Sequence, residues 1–155
     1  MRDTLAKALK EALKAKDEVA LSTIRLITAA LKDRDIAARS AGNSDGIPDD
    51  DILGMLQTMI KQRHESAKMY RDGGRPELAD TEDAEITIIQ QFLPEQLDAE
   101  AVKAAITDIV STLEVSSIKD MGKVMAELKT RFAGQMDFGM ASQMVKSTLM
   151  EKSSG

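Results

Sequence analysis

Cations recur through the last quarter of the sequence, at Lys119, Lys123, Lys129, Arg131 and Lys146. Most lie in "MGKVMAELKTRFAGQMDFGMASQMVKSTL", residues 121–149, which reads as two amphipathic helices folded about a short break. Such side chains at helical spacing make a face that attracts anions, and a helix start adds backbone N–H groups. Gly122 falls in the first turn of the first of these helices. Glycine inside a helix costs about 1 kcal/mol relative to alanine, so its presence implies close approach of another backbone or of a ligand phosphate.

A second group of chemistry-bearing residues lies upstream. Arg63, Ser66 and Tyr70 share a helix face at i, i+3, i+7, and Glu82 and Glu85 share one on the next helix. Packed across the turn at Gly73 and Gly74, they would form a charge-assisted network, for which fixing helix register is the favoured role. His64, the single histidine, is adjacent to Glu65, and neighbouring helical residues diverge by about 100°, so the pair does not share a face for acid–base work. Asp49, Asp50 and Asp51 have the chemistry for magnesium and also for the start of a helix, whose positive end they would meet; the sequence favours the helix start. No metal site and no cofactor is expected. Cysteine is absent, which excludes disulfides, a thiol nucleophile and thiolate metal sites. Aromatic residues are 3% of the chain, too few for a surface that stacks unpaired bases.

The elements that must position these groups are helical. Leu5, Leu9 and Leu13 recur at i, i+4, i+8 after a candidate Asp3 cap, and Asp17 opens a helix carrying Ile24, Ile27 and Leu31. "SAGNSDGIPDD" is a loop, after which Ile52, Leu53, Leu56, Met59 and Ile60 mark a helix running to Tyr70. A fourth helix starts at Pro76, holds Ile86, Ile89 and Phe92, and ends at Pro94. Asp98 can cap a fifth with Val102, Ala105, Ile106, Ile109 and Leu113. Ser117 and Asp120 make a start resembling a capping box before Met121, Val124, Met125 and Leu128; Gly134 permits the reversal. Asp137 can cap the last helix, with Met140, Met144 and Val145 inward and Lys146 outward. The expected fold is all-α, with about seven helices: an N-terminal helical bundle at 1–95 and a three-helix tail at 96–155, joined by a short link that Pro94 stiffens. Six of the ten methionines lie between Met121 and Met150, as pliable core or as an adaptable surface, with core favoured.

Net charge is −5, unevenly spread: residues 1–39 sum to +3, 40–100 to −9, 101–116 to −1 and 117–155 to +2. The mildly basic ends allow a local anion-binding face without a strongly basic protein. No apolar run approaches the roughly 20 residues of a membrane helix, and "MRDTLAKALKEALKAKD" lacks the pattern of a signal peptide, so the expectation is a cytoplasmic protein with no membrane partner.

"DMGKVMAELKTRFAGQMD…MVKSTL" resembles the tail motif of the B subunit of the glutamine-dependent aminoacyl-tRNA amidotransferase. "KQRHESAKMYRDGGRPELADTEDAEITIIQQFLPEQL" resembles the helical segment that precedes it in stand-alone relatives. Through these motifs the chain is similar to the GatB/YqeY family over nearly its whole length, and most to the short YqeY-type proteins. In the amidotransferase that tail contacts the elbow of tRNA, which implies a tRNA-binding accessory module here. Lys119, Lys123, Lys129, Arg131 and Lys146 would then meet phosphates beside Gly122. After Gly134 the family often has a basic residue, then alanine, aspartate and glycine. This sequence has Gln135, Met136, Asp137 and Phe138. An apolar Phe138 beside the turn motivates an alternative, a non-enzymatic module docking a protein through Phe138 and the neighbouring methionines. The resemblance also carries the label of carbon–nitrogen ligase activity with glutamine as amido-nitrogen donor. The sequence shows no P-loop and no glycine- and serine-rich amidase motif, so catalysis by this chain alone is not expected.

Overall fold

The computed structural model describes residues 1–154 and is all-α, with seven α-helices, one 3-10 turn and no strand among the described residues. The chain divides into two units, Met1–Leu93 and Pro94–Gly155.

In the first unit α1 (Arg2–Ala15) and α2 (Glu18–Ser40) are separated by Lys16, whose left-handed backbone (φ 55°) ends α1, and by Asp17, whose carboxylate caps α2 by accepting from the Ala20 N–H. Met1, not Asp3, occupies the cap position of α1, and Asp3 lies in its first turn. α3 (Asp49–Asp72) and α4 (Pro76–Gln90) form a hairpin. Pro48 takes the cap position of α3, with Asp49, Asp50 and Asp51 exposed in its first turn and Asp49 3.4 Å from the Met1 ammonium.

Leu5, Ala12, Ile24, Ile27, Leu31, Ile52, Met55, Leu56, Met59, Ile89 and Phe92 make the core of this unit. Burying such large aliphatic side chains contributes about 1.5–3 kcal/mol each before entropy is counted. Leu13, expected on that face, is 50% exposed and Ala12 takes its place. Eight residues at 100° each overshoot two turns by 80°, whereas the seven from Leu5 to Ala12 return within 20°. Farther along the α3–α4 hairpin the contact narrows to small residues, and Ala67 and Ala79 are both buried.

The loop between α2 and α3 is pinned from outside. Arg2 grips Asp35 with both guanidinium nitrogens, at 2.6 and 2.9 Å, and donates to the Ile47 carbonyl at 3.0 Å. Asp35 in turn accepts from the Ile47 N–H at 2.9 Å. Gly46 sits so close that a Cβ would stand 2.8 Å from Arg2 and from Asp35.

The second unit holds α5 (Ala99–Thr112), capped by Asp98 as expected, a 3-10 turn at Ile118–Asp120, α6 (Met121–Arg131) and α7 (Phe138–Ser154). Val102, Ile106, Ile109, Val110, Val124, Leu128, Met136, Val145 and Leu149 form its core. Leu113 is partly exposed, and Met140, expected inward, is 62% exposed. Met140 precedes Val145 by five residues, which turns it about 140° off the buried face.

Candidate nucleic-acid interface

The outer face of α6 follows from its period. Val124 and Leu128 are fully buried, so Gly122, Lys123, Ala126, Lys129 and Thr130 all fall on the opposite side and are exposed. Lys123 and Lys129 flank Ala126 on either side, about 60° away in projection. Lys119 is exposed in the 3-10 turn that leads into the helix. Ala126 and Thr130 were legible as members of this face from the spacing i+4 and i+8 after Gly122.

The sequence-predicted cations differ in freedom. Lys123 lies 4.0 Å from Asp120 and is 75% exposed, a surface pair that leaves the ammonium available. Lys119 and Lys129 have no carboxylate within 4 Å among the described residues. Arg131 is held: its Nε donates to Glu127 at 2.7 Å and its Nη1 stands 3.5 Å from Asp108 on α5. Two carboxylates on one guanidinium oppose a phosphate contact there. Lys146 is exposed on α7, on a different helix from the other cations.

Gly122 is not packed against another backbone of this chain. A Cβ at that position meets nothing within 4 Å, so the close approach expected from the sequence is not made internally, and the surface is open.

The reversal after α6 is built by Gly134, at φ 74°, and is fastened to the segment that opens the unit. The Leu97 N–H donates to the Gln135 carbonyl at 2.8 Å. The Gln96 amide donates to the Gly134 carbonyl at 2.6 Å and to the Pro94 carbonyl at 2.9 Å. Asp137 Oδ1 accepts from the Gly139 N–H at 2.8 Å and starts α7. Phe138, expected as an exposed contact, is instead partly buried against the core, and Met136 is 3% exposed. Both apolar side chains turn into the core of this unit. Ser153 donates to the Ser116 carbonyl at 3.0 Å and ties the far end of α7 to the loop before the 3-10 turn.

Of the upstream network, the hydrogen bonds run through two residues. Arg63 Nε donates to Glu85 at 2.8 Å, with both side chains largely buried, and Arg63 also donates to the Met59 carbonyl. Partial burial raises the Glu82 carboxyl above its usual range; the Glu85 charge raises it further and Arg63 opposes the shift. Ser66 and Tyr70 are half-buried on the same face of α3 and make no hydrogen bond to this pair. A single guanidinium between two helices acts as a register pin. His64 is exposed, and no group of three or more His, Cys, Asp or Glu that could hold a metal ion occurs among the described residues.

A family model described as Yqey-like protein matches residues 2–149. The chain is 26% identical over 156 residues to the altered inheritance of mitochondria protein 41, mitochondrial, of Vanderwaltozyma polyspora, covering 96% of this chain and 79% of the relative. It is 25% identical over 151 residues to the protein of the same name from Lachancea thermotolerans, covering 96% and 78%. It is 30% identical over 115 residues to the one from Candida glabrata, covering 73% and 62%.

Proposed function

The chain belongs to the YqeY-like family, and from that premise we propose that its C-terminal unit is a tRNA-binding accessory module. The observation that carries the reading is the outer face of α6, where Lys123 and Lys129 flank Ala126, Gly122 stands unobstructed in the first turn and Lys119 lies just before the helix. Cations on a bare helix face suit the phosphate backbone of a folded RNA, which is read by shape; base stacking plays no part. Arg131 holds α6 to α5 and Lys146 is a peripheral contact. The module carries no catalysis of its own. Amide transfer from glutamine, in the amidotransferase whose tail this unit resembles, belongs to other subunits. The proposed location is the cytoplasm; the fungal relatives carry mitochondrial names, and fractionation of the native cells decides between the two compartments.

The test is a gel shift of the full chain with bulk tRNA at two salt concentrations. Three phosphate contacts predict binding at low salt that weakens with a log–log slope of about −2 to −3. Absence of a shift at low salt would sink the reading.

A further inference from the structure

The outer face of α2 carries a pattern that the core does not use. Val19, Leu26 and Ile36 are 47, 45 and 54% exposed. Together with Ser22, Ala29 and Ser40, all exposed, they recur at alternating spacings of three and four along the helix. Asp33 completes the series. This is the spacing of a helix–helix seam, and it runs for about 30 Å. The serines fit an apolar seam, because Ser22 donates to the Val19 carbonyl and Ser40 to the Ile36 carbonyl, so neither hydroxyl needs a partner from outside.

One edge of the seam is charged. Arg25, Lys32 and Arg39 follow at seven-residue intervals, each immediately before a seam position. All three are exposed, and none has a carboxylate within 4 Å among the described residues. Flanking charges of this kind select the partner helix.

We propose that the outer face of α2 docks an amphipathic helix of a partner protein, acidic along one edge with carboxylates at seven-residue spacing. A second copy of α2 fits poorly, since it brings Arg25, Lys32 and Arg39 again, and of its three carboxylates Asp35 is held by Arg2, which leaves Glu18 and Asp33 to meet them. A lipid surface fits poorly as well, because three large apolar side chains are few and Asp33 stands among them. Asp33 further fixes the register: it calls for one basic residue opposite it in the partner's otherwise acidic edge.

The experiment places a photo-crosslinking amino acid at Leu26 of the full chain in the cells that make it, with the same group at Met69, 73% exposed on α3, as control. Sequenced adducts from position 26 should map to one partner segment with carboxylates every seven residues. The yield should fall about tenfold or more when Arg25→Glu, Lys32→Glu and Arg39→Glu are combined. Those three side chains are exposed and form no ion pair within 4 Å among the described residues, so the variant should keep its helical circular dichroism. Adducts to a second copy, to lipid or to RNA overturn the proposal. So do the same adducts from position 69, yields unchanged by the triple reversal, and no adduct at all.

Discussion

The backbone N–H of Leu97 donates to the carbonyl of Gln135, 38 residues farther along, at 2.8 Å. With the Gln96 amide on Gly134, this bond makes the residues after Pro94 part of the second unit's own structure and ties them to the reversal that orients α6 against α7.

A fragment of residues 94–155 should therefore be helical by far-UV circular dichroism and more stable than one of residues 97–155. The longer piece keeps the Gln96 bonds, worth about 1 kcal/mol. Neither should exceed roughly 3–5 kcal/mol, given so small a core. Superimposable melting curves for the two fragments would show that the Gln96 bonds add nothing.

Lysines and arginine on α6 should separate by phenotype. Lys123→Ala and Lys129→Ala should each weaken tRNA binding, reduce the salt slope by about 1 and leave the melting temperature unchanged. Arg131→Ala should do the reverse, lowering stability through its lost partners Glu127 and Asp108 with little change in the slope. Equal losses of affinity from all three would return Arg131 to the interface.

Acid should loosen the first unit through Asp35. The Arg2 guanidinium, and then the Ile47 N–H, hold its carboxyl down at about 2 against an ordinary 3.8. A carboxyl depressed by folding stabilises fully above its unfolded value, and that contribution is lost as pH falls through the folded one. The gap in melting temperature between the native chain and Asp35→Asn should be constant from neutrality to about pH 5 and close between about pH 4 and 2. A gap independent of pH would mean that the carboxylate charge is not what matters.

Thr23 should be improvable. Its side chain is fully buried in α2 and its hydroxyl has no hydrogen-bond partner among the described residues. Valine has nearly the same shape without the desolvated hydroxyl, so Thr23→Val should raise stability by about 1 kcal/mol, read from the denaturant midpoint. A lower midpoint would mean that the hydroxyl is satisfied by a buried water.

The sequence by itself determined the helices and most of their ends. Caps such as Asp17 and Asp98 act on backbone N–H groups three residues away, and Pro76, Gly74 and Gly134 act on their own dihedral angles, so the cause and its effect lie within one turn of chain. The exposed position of Lys123 and Lys129 was legible for the same reason, since the buried Val124 and Leu128 fix which way α6 faces. Tertiary structure decided whatever depends on groups far apart in sequence. Asp108 meets Arg131 from another helix, Arg2 meets Asp35 across the α1–α2 turn, and Phe138 folds against a core that other helices supply. A charge or a phenyl ring declares what it can bind, but its partner is set by the path of the backbone, and no spacing along one helix encodes that path.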